Sequence, residues 1–70
     1  MPLSLAPLNV ELEIIKMLLE EKERKHLESL GLTIGSKIRI LDSNNGNLIL
    51  LVKNCRLALD KSVATKILVR

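Results

Sequence analysis

The chain has no Phe, Tyr or Trp, one Cys, one His, two Pro and three Gly in 70 residues. Each scarcity excludes something. Without aromatic side chains there is no stacking platform, which counts against a proline-peptide groove or a single-strand nucleic-acid surface. One cysteine cannot form an internal disulfide framework, and it suits a reducing compartment. The longest uninterrupted apolar run is the five residues Leu48–Val52, against the roughly 20 that a membrane-spanning helix needs. No basic stretch precedes an apolar one at the N-terminus, as a signal peptide requires. Gly does not follow Met1 and no Cys closes the chain, so nothing marks a lipid anchor. The expectation is a soluble cytoplasmic protein, a single domain over residues 1–70.

What is present is aliphatic. Leu, Ile and Val supply 27 of the 70 residues, which excludes a disordered chain. A chain this short buries only about 60% of its unfolded surface. Most of those aliphatics are therefore needed in the core, and little is left to enclose an active site. The net charge is +3, unevenly spread. Residues 1–30 carry six Glu against Lys16, Lys22, Arg24 and Lys25. Residues 31–70 carry seven basic residues, Lys37, Arg39, Lys53, Arg56, Lys61, Lys66 and Arg70, against Asp42 and Asp60. They are scattered singly. That fits a solvated outer face of strands better than a nucleic-acid footprint, which normally needs clustered charge.

Residues 1–9, with Pro2 and Pro7, read as an extended lead-in with Leu3, Leu5 and Leu8 as anchors. Residues 10–30 admit two readings. Val10, Leu12 and Ile14 alternate with Glu11 and Glu13 as in a strand. Ile14, Ile15, Leu18 and Leu19 fit a helix equally well, and propensity alone draws one long helix. The stretch from Glu20 to Leu30 is the more helical part, with Glu20–Arg24 and Glu21–Lys25 spaced for ion pairs. Leu19, Glu23, Leu27 and Leu30 make a narrow stripe that would lie on a core.

Gly31 followed by Leu32 matches a Schellman helix end. Thr33-Ile34-Gly35 reads as a second turn, type II, with Gly35 at the positive-φ position. From there the period is two. Ile38 and Ile40 face one way and Lys37 and Arg39 the other. Asn45-Gly46 predicts a tight hairpin turn with positive φ at both residues. Leu48, Leu50 and Val52 return on the partner strand. Asn54-Cys55 predicts another tight turn, with Asn54 left-handed. Leu57 and Leu59 form a third strand, Asp60 caps one helical turn through Ala64, and Lys66 to Val69 is a last strand. About five short strands, one helix and a helical turn predict a mainly β fold, a small closed barrel.

No constellation carries catalysis. Gly31-Leu32-Thr33-Ile34-Gly35-Ser36-Lys37 is one residue short of a phosphate loop, and Ser36 stands where the lysine belongs. His26 has no second His or nearby Cys with which to hold a metal, which needs three or four convergent ligands. Nothing orients His26 and Cys55 as a base–nucleophile pair. Glu20, Glu21 and Glu23 point in different directions from consecutive helix positions and cannot converge on one cation. The residues thus describe a binding or regulatory module with no metal site and no cofactor.

Ordered along the chain, Leu5 and Leu8, a strand around Ile14, Leu27-Glu28-Ser29-Leu30-Gly31-Leu32-Thr33-Ile34-Gly35, Ile38-Arg39-Ile40, Leu57-Ala58-Leu59, Ala64 and Ile67-Leu68-Val69 resemble the FeoA family, ferrous iron transport protein A. The resemblance covers roughly residues 3–69. It implies an SH3-like barrel with a helix inserted after the first strand, so that a strand runs to about Leu18 and a helix starts near Glu20. It also implies a non-enzymatic accessory protein of ferrous iron uptake that acts with the membrane permease FeoB, which carries a cytosolic GTP-binding domain. The chain departs from the family pattern at several positions. Asn9 and Asn54 stand where Gly is usual, and His26 stands for an Arg. Ile34 stands for a turn Pro, and Asp60 for an Arg. Asn9 and Asn54 can still adopt the left-handed conformation.

The inserted helix is where the family departs from a plain barrel, and recognition usually sits on such additions to a rigid scaffold. Partner contacts are therefore expected at Arg24, Lys25, His26, Thr33 and Ile34. The competing readings are a basic small barrel that binds nucleic acid, and a regulatory barrel of the kind attached to iron-dependent repressors.

Overall fold

In the computed structural model, which describes residues 1–70, the ambiguous segment divides. Glu11–Met17 is a strand, β1, and Glu21–Ser29 is a helix, α1. Burial decides it. Leu12, Ile14 and Met17 are buried, and β1 has a neighbouring strand on each side. Glu11, Leu12 and Glu13 pair with Arg39, Ile38 and Lys37 of β2 (Lys37–Ser43). Ile14, Lys16 and Met17 pair with Val69, Leu68 and Ile67 of β5 (Ile67–Val69). A bulge at Ile15 turns the strand between these two partners. Helix propensity loses to two ladders of backbone bonds and a buried face.

The other strands are β3 (Asn47–Val52) and β4 (Cys55–Asp60), and a short helix α2 (Lys61–Ala64) joins β4 to β5. All pairings are antiparallel, in the order β4-β3-β2-β1-β5. The barrel is not closed by hydrogen bonds. β4 and β5 are the two edges, and the chain crosses between them through α2. Fifteen buried aliphatic, Ala and Met side chains form one core, with no buried polar residue.

The end of α1 is a Schellman motif. Gly31 has φ +98°, its amide donates to the Glu28 carbonyl, and the Leu32 amide donates to the Leu27 carbonyl, both at 3.0 Å. The next turn is closed by the Ser36 amide on the Thr33 carbonyl at 3.0 Å, with Gly35 at φ +92°. Asp60 Oδ1 caps α2 by accepting from the Ser62 amide at 2.8 Å.

Four expectations are corrected. Asn45 and Gly46 have no positive φ. The last β2–β3 pair is Ser43 with Leu48, so Asn44 to Asn47 close the hairpin and a two-residue turn has no place. The second tight turn is Lys53-Asn54 and not Asn54-Cys55: Lys53 and Asn54 are both left-handed, at φ 50° and 67°, directly between the paired residues Val52 and Cys55. Arg24 pairs with Glu28 at 3.0 Å, not with Glu20. Glu20 is the extended residue preceding the helix, so its side chain does not lie one turn below Arg24. Of the three lead-in leucines only Leu3 is an anchor. Leu3–Leu5 form a 3₁₀ turn, in which i and i+3 share a face. Leu3 and Ala6 therefore face the core, while Leu5 is 75% exposed and Leu8 is 46% exposed.

Candidate functional site

The largest concavity is a groove of about 540 Å³ between α1 and the β4–α2 segment. Its apolar lining comes from Leu27 and Leu30 of α1, Leu57, Ala58 and Leu59 of β4, and Val63 of α2. Lys22, Glu23, His26 and Asp60 supply its polar lining. The helical period makes this arrangement. Leu27 points into the core while Leu30, one turn on, lines the groove and stays 45% exposed. An apolar groove with charges of both signs suits a protein segment better than a small polar substrate.

The five expected contact residues are not all brought together. His26 lines the groove. Arg24 and Lys25 lie on the same helix but outside it, each in an i,i+4 pair, Arg24 with Glu28 at 3.0 Å and Lys25 with Glu21 at 3.1 Å. Thr33 and Ile34 occupy the turn after the Schellman end. The Thr33 hydroxyl meets the Ser36 hydroxyl at 2.9 Å, and Ile34 at the tip is 64% exposed. The β4–α2 wall of the groove, Leu57 and Val63, was missed. The available signal was an excess of apolar residues, since Leu57 and Val63 are only half-buried and a helical turn caps them.

Cross-strand register gathers charges that the sequence scatters. Glu11, Arg39, Leu51 and Arg56 form one row across β1, β2, β3 and β4. A shallower concavity of about 370 Å³ is lined by Glu11, Lys37, Ile38, Arg39, Leu51, Lys53 and Asn54. Glu13 lies beside it, 3.4 Å from Lys37 and 3.7 Å from Arg70. The interleaved carboxylates repel a phosphate backbone.

Asp60 has its carboxyl held below the usual carboxylate range by the Ser62 backbone hydrogen bond and then by the Ser62 hydroxyl. No three His, Cys, Asp or Glu side chains come together as a metal would require. Cys55 is exposed and free.

A model of the FeoA domain matches residues 1–70. The chain belongs to the FeoA family. Solved structures agree. An iron uptake regulatory protein, FeoA, is 31% identical, with a TM-score of 0.90, over 100% of this chain and 95% of that one. The zinc complex of FeoA from Stenotrophomonas maltophilia, described as a prokaryotic SH3 domain protein and a candidate ferrous iron transport activating factor, is 25% identical, with a TM-score of 0.80, over 100% of this chain and 89% of that one. ScaR with bound zinc shares the fold at a TM-score of 0.88 and 22% identity, over 99% of this chain and 35% of that one. Comparison with curated protein sequences returns no match. The FeoA fold is thus SH3-like, and the family places the chain in ferrous iron transport. No helix is long and apolar enough to cross a membrane.

Proposed function

We propose that this FeoA-family chain is a non-enzymatic, cytoplasmic accessory of ferrous iron uptake that docks on the cytosolic side of a FeoB-type permease. The observation that carries the proposal is the apolar groove between α1 and β4–α2, the largest concavity of the chain and lined by six hydrophobic residues. Docking centres on α1. His26 and Leu30 present the groove, Arg24 and Lys25 flank it, and the Thr33–Ile34 turn extends the surface. A nucleic-acid-binding role is disfavoured by the absence of aromatics and by Glu11 and Glu13 among the basic residues.

The testing experiment is complementation of an uptake-deficient strain with Arg24→Glu/Lys25→Glu. The substitutions remove two exposed ion pairs worth about 0.3–0.5 kcal/mol each and set up like-charge neighbours of similar cost, so the domain stays folded. Uptake falls if α1 docks. Full uptake by the folded double variant moves the docking surface elsewhere, first to the strand faces at Lys37, Arg39 and Lys53.

A further inference from the structure

The two edges of the sheet are treated differently. β5 has three residues, and the chain's own N-terminus covers it. The Val69 amide donates to the Met1 carbonyl at 2.8 Å, the Met1 ammonium donates to the Val69 carbonyl at 3.1 Å, and Pro2 bridges Leu68. β4 has no such cover. It is six residues long and contains no proline, and its ladder with β3 is regular from Val52–Cys55 to Asn47–Asp60. β1 and β2, by contrast, each carry a bulge. Natural edge strands are normally shortened, bulged, covered or given proline. Charge is the other usual device, and β4 has only that, in Arg56 and Asp60, which are of opposite sign and so can pair with a second copy rather than repel it.

We propose that β4 is a self-complementary edge that pairs antiparallel with β4 of a second copy of this chain. The register follows from the hairpin. A two-residue turn at Lys53-Asn54 makes Val52 and Cys55 a mutually hydrogen-bonded pair. Bonded pairs then alternate, Leu50 with Leu57 and Leu48 with Leu59. The N–H and C=O groups of Arg56 and Ala58 therefore point away from β3, and neither residue enters any turn or loop hydrogen bond.

A two-fold axis through Ala58 sets Ala58 opposite Ala58 of the second copy and Arg56 opposite Asp60 of the second copy, twice over. Arg56 and Ala58 have both backbone groups on the open side and Asp60 its N–H, while the Asp60 carbonyl, at the N-cap, takes the first α2 bond, so one register pairs the open groups and the charges together. Arg56 is free for this, because the chain's ion pairs all lie elsewhere. Asp60 uses Oδ1 for Ser62 and leaves Oδ2 for the arginine. Opposite charges directly across a ladder favour the pairing. The small Ala58 at the centre lets the two strands meet without a steric block. The inference does not rest on the docking reading, though Leu57, Ala58, Leu59 and Asp60 also line the groove, so a second copy and a groove-bound partner compete for this edge. A single strand pair covers less than the roughly 1,200 Å² of a stable interface, so the dimer is weak and dependent on concentration.

The test is sedimentation equilibrium of the intact chain from about 10 μM to about 1 mM, the affinity range of such contacts. The weight-average mass rises above 7.8 kDa toward twice that value. Ala58→Pro removes an outward N–H that the β3 ladder does not use, so the variant keeps its circular dichroism and stays monomeric. In a Cys55→Ser background, Ala58→Cys cross-links on mild oxidation, because a bonded antiparallel pair has Cα atoms about 5.5 Å apart, within disulfide range. Arg56→Cys in the same background does not cross-link, its two copies lying about 14 Å apart along the strand. A chain that stays at 7.8 kDa throughout overturns the proposal. So does association undiminished in Ala58→Pro, or equal cross-linking at positions 56 and 58. A monomer whose β4 amides respond only to another protein assigns the edge to that protein and likewise overturns it.

Discussion

The Leu32 amide donates to the Leu27 carbonyl at 3.0 Å across Gly31, and both leucine side chains lie in the core. The helix is thus locked to the barrel at its C-terminal end by a backbone bond and a hydrophobic contact on either side of one left-handed residue. Gly31→Ala tests this. A Cβ there meets only Val52 Cγ1, at an ordinary 3.5 Å, so the cost is conformational, about 1–2 kcal/mol. Thermal melting is expected to fall by roughly 4–15 °C for a domain of this size.

The two hairpins make opposite predictions. Gly46 has neither a positive φ nor any atom near an added Cβ, so Gly46→Ala is expected to leave the melting temperature within a few degrees. Lys53 holds φ 50° without the freedom of Gly or Asn. Lys53→Asn with Asn54→Gly installs the preferred residues for that turn and is expected to stabilise the domain by about 0.5–1 kcal/mol. Denaturant midpoints of the three proteins check both statements.

Asp60 links stability to pH. Its carboxylate is favoured in the folded state by two hydrogen bonds from Ser62, so its folded pKa lies below its unfolded one. The stabilisation is present above the unfolded value, around pH 4, and is lost as pH falls through the lower folded value. Asp60→Ala is expected to flatten the acid limb of the melting-temperature profile and to leave its slope near neutral pH unchanged.

Metal binding follows from the donor set. His26 is the only imidazole and Cys55 the only thiol, and no three His, Cys, Asp or Glu side chains converge. Anaerobic calorimetry on the tag-free chain is expected to give no ferrous iron site tighter than about micromolar, since such a site needs several convergent ligands.

Much of the fold could be read from local chemistry. Gly31-Leu32, the type II turn at Gly35, the Asp60 cap and the alternation Ile38/Ile40 and Leu48/Leu50/Val52 each have one physical solution, and the structure adopts it. The segment at 10–19 could not be read that way, because its helix-favouring residues form a strand only when β2 and β5 are there to pair with it. Resemblance to the family supplied that answer. The turn at 53–54 was half legible. Asn54 signalled it, whereas a left-handed Lys53 carries no sequence signal and is imposed by the ladder closing between Val52 and Cys55. The groove was legible on its α1 side alone. Leu57 and Val63 alternate or cap like any core residue, and only three-dimensional placement shows that they are half-exposed. The row Glu11, Arg39, Leu51 and Arg56 comes from four strands, and no reading along one strand assembles it.

The most direct measurement is an NMR titration of the isotopically labelled chain with the cytosolic GTP-binding domain of a FeoB-type permease. The account predicts that the amides of His26, Leu30, Leu57 and Val63 shift, together with those of Arg24, Lys25, Thr33 and Ile34, while the core strands hold. Shifts confined to Lys37, Arg39 and Lys53, or no shifts at concentrations well above those of a specific complex, would contradict it.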